Sequence, residues 1–471
     1  MSQLEFSRSN HPDLPAKGHA CYDPTSAIVR KGYINPAISH RGTLPRPFSK
    51  EYRMIYTLGT KRTGVWYLGI GNLSSVTIDP EGRKATFSTN GKDEVRSIDG
   101  GVTDVVREYT SANEDCGTRI YGYIGFSYAL LLRGIPHTAG EWPMLSLMVP
   151  RTEVVFYPDR ITLTGVDKRE TVELSALVDD TTCIEPSPGH PIDTNTRTSE
   201  YVEQVEAALA DIRAEKYTKV IPSRAVSLPW RVDMPGTLLC GRQHNNPARS
   251  FCLRHGNNQA TGFSPELVMS LRDGKVTTEP LAGTRSQEEA GDKSKKLKEA
   301  LVSDPKEIVE HVLSVKEAIN ELDRLCSPGT VVVDDLMTVR PRGSVQHLGS
   351  TVSGALLPGK DAWDAFNILF PSITATGIPK QAALEGIGRL EKHPRELYSG
   401  AILLIEDPET WDVALVLRAV FQGREKQWIQ AGAGIVAQSS PGRELTETSE
   451  KLASIAPYVI AERNQKDGIV I

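Results

Sequence analysis

Short β-prone runs recur along this chain with only a few residues between them, and that spacing excludes a large class of folds. Before residue 176 they are "RMIYTL" (53–58), "GVWYLGIG" (64–71), "SSVTID" (74–79), "KATFST" (84–89), "TEVVFYP" (152–158) and "RITLTG" (160–165), punctuated by Gly, Asp and Asn. Further strands are expected at 250–255, 267–272, 275–280, 330–334, 401–405, 413–420 and 427–436. Parallel neighbours need crossovers of about a dozen residues or more, whereas antiparallel neighbours can be joined by tight turns. Strands outnumber helices and most connections are short, so the pattern predicts an α+β fold with large antiparallel sheets rather than a doubly wound parallel one. Three helices are expected. The first is capped by Ser199 and carries Val202, Val205, Leu209 and Ile212 on one stripe; the second covers roughly 305–325 and the third roughly 443–461. "KVIPSRAVSL" (219–228) reads as a strand, with Pro222 marking an edge or bulge.

The chain has 471 residues, enough for one to three domains, with 39% hydrophobic and 24% charged residues. Its net charge of −5 argues against a general nucleic-acid binder. The start, "MSQLEFSRSN", lacks the apolar core of a secretion signal, and no run of about 18 apolar residues predicts a membrane span. Six scattered cysteines form no CxxC pair, which fits reduced thiols in a cytoplasmic protein. Residues 1–50, rich in Pro, Ser, Gly and His, read as an N-terminal arm. Residues 51–190 and 198–460 form the two further parts, and the polar, Pro-rich 180–199 segment is the candidate linker between them.

Two carboxylate pairs stand out. In "DPKEIVEH" (304–311), Asp304 can cap a helix, Pro305 suits its first position and Glu307 falls at the capping-box position. That reading leaves Glu310 and His311 unexplained. In the other, Glu307 and Glu310 project from the same side of the helix and hold a metal. "GRELTETSEK" (442–451) repeats the spacing with Glu444 and Glu447, and Lys451 follows four residues later. A solvated face with a Glu447–Lys451 ion pair is the alternative there. Four carboxylates on two helices would make an all-oxygen site suited to Mg²⁺.

These segments fall in order with "YTKVIPSR" (217–224), "GFSPELV" (262–268), "TEPLAGTR" (278–285), "SVQHLGST" (344–351), "LFPSITATGIPK" (369–380), "RELYSGAI" (395–402) and "QAGAGIVAQSSPGRELTETSEKL" (430–452). Together they resemble the chorismate-utilising enzymes, strongly from about 198 to 460 and more weakly from 50 to 175. The resemblance implies a single domain in which two large antiparallel sheets form a sandwich with helices outside, which would make 180–199 an internal loop.

It also implies roles. Aminating members tend to carry Gln where this chain has Lys219, and a lysine there can serve as the general base that activates water. Aminodeoxychorismate synthases tend to carry a lysine nucleophile where this chain has Ala282. Glu266 matches the general acid. Glu307, Glu310, Glu444 and Glu447 would hold Mg²⁺. Tyr398 and Arg418, with the Gly432 and Gly434 amides, would hold the enolpyruvyl carboxylate. Thr284, His347, Thr374 and Lys451 match pocket positions, and His311 would support the metal site from outside. Pro222, where an aliphatic residue is common, and Thr446, where an acidic one is common, depart from the pattern. The segments from 344 to 402 resemble siderophore-type salicylate synthases in particular. The expected activity is therefore Mg²⁺-dependent conversion of chorismate to isochorismate and then to salicylate and pyruvate. Isochorismate synthesis alone, or silent chorismate binding, are the alternatives. A cytoplasmic monomer with no glutaminase subunit is expected.

Overall fold

The computed structural model describes residues 2–7, 53–58, 64–165, 174, 189–287 and 292–462. Every strand pairing among the described residues is antiparallel. Two strands are long enough to serve two sheets. The outer half of Val65–Ile78 pairs with Arg53–Leu58 and the inner half with Lys84–Thr89. Along its whole length it pairs with Leu145–Phe156, with a register shift between Asn72 and Ser74. A bulge of this kind bends the ribbon, and Gly71 beside it has φ +62°.

From this bent pair one sheet runs through Arg53–Leu58, Arg249–His255, Asn258–Ser264, Ala419–Gln422 and Gln427–Gly432 to Ser223–Leu228. The other runs through Ile120–Ile124, Ala401–Asp407, Thr410–Leu415, Leu267–Arg272 and Lys275–Thr278 to Val345–Ala355, which also pairs with Leu281–Ser286 and Val332–Arg342. Both sheets therefore join strands from before the 180–199 segment to strands from after it, through the 53–58/249–255 and 120–124/401–407 pairings.

Strand periodicity sorts the cores. Met54 and Tyr56, Tyr67, Ile402 and Leu404 join a cluster shared by both sheets, with Tyr121, Tyr123, Phe251 and Phe421. Their neighbours face the other way. Ile55, Trp66 and Leu68 pack under the Met234–His244 helix on one side. Ala401, Leu403 and Ile405 pack against residues of Val102–Ser111, Pro305–Asp323 and Ala362–Leu369 on the other. The result is the expected sandwich with helices outside. No helix among the described residues is long and apolar enough to cross a membrane.

Several expected boundaries move. The first helix is Thr198–Arg213, and Ser199 lies in its first turn; Arg197, with φ +55°, takes the cap position. The third helix ends at Leu452, followed by a 3₁₀ turn at Ala456–Tyr458. The 330–334 strand extends over Val332–Arg342. The 413–420 run is two strands, Thr410–Leu415 and Ala419–Gln422, because Arg418 at φ +49° breaks it. Pro222 likewise separates the two-residue Lys219–Val220 pairing from Ser223–Leu228. Of the 1–50 arm, Ser2–Ser7 pairs with Arg160–Gly165, and 8–50 lies outside the described residues. The 180–188 part of the linker candidate lies outside them too.

Trp363 anchors one outer helix. It is buried, meets Trp411 edge-on at 4.9 Å and donates from Nε1 to Thr110 Oγ1 at 3.0 Å. Trp363→Ala is expected to cost about 3–5 kcal/mol in urea unfolding.

Candidate functional site

The Pro305–Asp323 helix begins as its sequence dictates. Asp304 accepts from the Lys306 and Glu307 amides at 2.9 and 3.4 Å. The Glu307 carboxylate, however, turns to the neighbouring strand. It accepts from the Thr284 amide at 3.2 Å and from Arg285 Nη1 at 2.6 Å. The Pro441–Leu452 helix faces it with Glu444 and Glu447. All four carboxylate residues are buried, at 1% (Glu307), 5% (Glu310), 0% (Glu444) and 2% (Glu447) exposed, so neither pair belongs to a solvated face.

Their common neighbour is Lys306. Its Nζ lies 3.1 Å from Glu310, 3.5 Å from Glu444, 3.9 Å from Glu307 and 4.0 Å from Glu447. Burial alone would lower the Lys306 pKa, but the four carboxylates hold it above the usual lysine range. Burial works to raise Glu310 and Glu447. Lys219 and Lys306 outweigh it at Glu310, and Lys451 and Lys306 at Glu447, so both stay below the usual carboxylate range. Glu444 is pushed up by burial and by the charge of Glu447. Both Glu444 oxygens and Glu447 Oε2 are buried without a hydrogen bond.

Among the described residues no three His, Cys, Asp or Glu side chains stand as a ready-made ligand set, and the four carboxylates converge instead on the Lys306 ammonium. The donor set nevertheless fits a hard divalent cation: it is all oxygen, anionic and short of partners. His311 does not join it, since its Nε2 pairs with Ser350 Oγ at 2.7 Å. Burial lowers the His311 pKa to about 4, so the ring is neutral.

Lys219 is buried behind this cluster, with Nζ 3.0 Å from Glu310 Oε1 and 3.1 Å from Ser314 Oγ. Across an adjoining cleft lies Glu266, where Asn258–Ser264 turns into Leu267–Arg272. Its Oε1 accepts from Ser372 Oγ at 2.6 Å and Thr374 Oγ1 at 2.5 Å. Burial raises its pKa to about 7.

Arg418 enters the same cleft from the strand break, donating to the Arg342 carbonyl at 2.7 Å and to His347 Nε2. No salt bridge to Arg418 occurs among the described residues, and burial together with Arg342 lowers its pKa to about 9. A buried guanidinium of this kind suits an anionic ligand. His347 Nδ1 donates to the Gly283 carbonyl at 3.0 Å, which leaves Nε2 as the acceptor for Arg418. Lys451 bridges Glu447 at 2.8 Å and the Gly432 carbonyl at 2.9 Å.

The cleft is lined by Glu266, Thr284, Glu310, His347, Thr374, Tyr398, Arg418, Gly432, Gly434, Glu447 and Lys451, with Ala282. Lys219, Glu307 and Glu444 stand behind its wall. Sequence reasoning missed Lys306 and Ser372. A lysine in the first turn of a helix reads as solvated, and nothing local marks Ser372.

Gly434 must be small. A Cβ there would lie 2.3 Å from Glu310 Oε1 and 3.1 Å from Lys219 Cε. Gly434→Ala is expected to displace that pair and lower kcat/KM about 100-fold or more, with the circular dichroism spectrum of the folded chain retained.

Comparison with known proteins places the chain in a family. The chorismate binding enzyme family matches residues 62–457. A salicylate synthase of Mycolicibacterium paratuberculosis is 39% identical over 97% of each chain. An anthranilate synthase component 1 of Haloferax volcanii is 36% identical over 55% of this chain and 50% of its own. Among solved structures, anthranilate synthase component I of Streptococcus pneumoniae superposes with a TM-score of 0.69 at 24% identity, covering 90% of this chain and 96% of that one. The menaquinone-specific isochorismate synthase of Escherichia coli gives 0.67 at 20%, covering 97% and 94%. Matched by the family model over most of its length and 39% identical to a salicylate synthase over 97% of both chains, the chain belongs to the chorismate binding enzymes.

Proposed function

We propose that this enzyme is a salicylate synthase, converting chorismate through isochorismate to salicylate and pyruvate. The observation that carries this is the end-to-end likeness to a salicylate synthase, 39% over 97% of both chains, against about half-length matches to the anthranilate synthases of Haloferax volcanii and Mycolicibacterium smegmatis. The site supports it. Ala282 offers no nucleophile, so water is the reactant that Lys219 can serve.

Arg418 and Tyr398, with the backbone at Gly432 and Gly434, would hold the enolpyruvyl carboxylate. Mg²⁺ bound by Glu307, Glu310, Glu444 and Glu447 would neutralise the ring carboxylate at the other end. Lys219 takes a proton from water as the oxygen bonds to C2, and its Nζ, 3.0 Å from Glu310 Oε1, must turn from that contact toward the water to do so. Glu266, whose pKa of about 7 leaves a substantial protonated fraction near neutrality, passes its proton to the C4 hydroxyl, which leaves as water. In the second step the C2 hydrogen moves to the enolpyruvyl methylene as the C3–O bond breaks, which releases pyruvate and aromatises the ring. Holding both ends of the ligand favours the conformation this transfer needs. The reading includes a cytoplasmic monomer that works without a glutaminase subunit.

The purified chain with chorismate and Mg²⁺ is expected to form salicylate and pyruvate in equal amounts, and isochorismate supplied directly should do the same. Lys219→Ala should bind chorismate and form neither product. Isochorismate accumulating without pyruvate would make the chain an isochorismate synthase alone. Anthranilate formed from ammonium salts would overturn the water-based reading.

A further inference from the structure

Three oxygens meet at the acid end of the cleft. Glu266 Oε1 lies 2.6 Å from Ser372 Oγ and 2.5 Å from Thr374 Oγ1, and the two hydroxyls are 2.6 Å from each other. All three separations are hydrogen-bonding distances, short of the usual O–H···O mode of about 2.7–2.8 Å. Each hydroxyl supplies one proton. With Glu266 ionised, two protons serve three contacts, and one pair of oxygens faces lone pair to lone pair. With Glu266 protonated on Oε1, three protons serve three contacts and the ring closes in either sense. Glu266 and Ser372 are buried, so water does not readily relieve a bare contact there.

The loop holds this geometry firmly. The Ser372 carbonyl accepts from the Ala375 amide at 3.0 Å and from Thr376 Oγ1 at 3.0 Å. Just before it, Lys380 ties the Ile368 and Leu369 carbonyls to buried Glu321. The charged groups facing Glu266 are Lys219 and Arg418, which favour its ionised form, and Glu279, which opposes it; Arg342 bonds to the adjoining Pro265 carbonyl.

We propose that Ser372 is a positioning residue that closes a three-oxygen ring with Thr374 and Glu266, a ring complete only when Glu266 carries its proton. The ring stores the acid in its working form. Glu266 and Thr374 line the cleft, whereas Ser372 does not. An arriving substrate hydroxyl can take the place of Thr374 as acceptor. The carboxyl O–H bond then breaks with the C–O bond, and water departs.

This inference rests on Glu266 being the acid of the proposed reaction, but its test does not need turnover. Infrared difference spectroscopy of the free protein follows the Glu266 carboxyl band, identified by its loss in Glu266→Gln. Ser372→Ala leaves Thr374 free to donate to an ionised Glu266, so the titration should move down by about one pH unit. Thr374→Ser keeps the ring and should titrate as the parent does. Thr374→Val removes the other hydroxyl and should shift downward like Ser372→Ala, which covers the case in which Ser372→Ala does not fold. The alkaline fall of the pH–rate profile, set by loss of the acid's proton, should follow the same shifts. If the hydroxyls merely stabilise a carboxylate, removing one raises the pKa instead. An upward or absent shift would overturn the ring.

Discussion

The site depends on a concentration of buried charge between two helices. Burying a carboxylate is costly unless cations and hydrogen bonds compensate. Here the compensation comes from around the fold: Lys219 before a strand, Arg285 on the Leu281–Ser286 strand, Lys306 within the acid pair's own helix, and Lys451 one turn beyond Glu447. Compensation is incomplete, since Glu444 and one oxygen of Glu447 lack hydrogen bonds. A cluster anionic enough to attract a cation, yet balanced well enough to remain folded, is what a site for a hard metal requires. Lys306 is the counter-charge in the structure described.

The sheets exist, in functional terms, to hold the two ends of the cleft apart. Glu266 sits where one sheet strand passes to the next, and Leu415 donates its amide to the Glu266 carbonyl. The strand break at 416–418 follows, and Phe263 donates to the Arg418 carbonyl. A locally unfavourable backbone at Arg418 is thus fastened by pairing on both sides. It aims a guanidinium with no acidic partner among the described residues at the cleft.

Much of this was legible beforehand, for identifiable reasons. Many strands with short connections gave the antiparallel class, because a parallel neighbour needs a long crossover that these connections cannot supply. The helix at 305 announced itself through Asp304 and Pro305, whereas Pro441, which opens the later helix, lies before the start expected for it. Spacing placed each pair of glutamates on one side of a helix, but not which side was buried; that depends on the two helices meeting. Lys306 was invisible for the same reason, since its partners lie partly 138 and 141 residues away at Glu444 and Glu447. Arg418 read as a strand residue because nothing in "VLRAV" signals positive φ in the way glycine would. The ring around Glu266 joins residues 266, 372 and 374, a contact no local pattern encodes.

The claim that the four glutamates form a divalent-cation site can be read without any substrate. A ligand that binds the folded state alone raises its stability with concentration. The thermal unfolding midpoint, taken in EDTA and then with increasing Mg²⁺ at constant ionic strength, is expected to rise and saturate, and to stay flat in Glu447→Gln. A midpoint in the parent chain that does not respond to Mg²⁺, or the same rise in Glu447→Gln, would contradict the assignment.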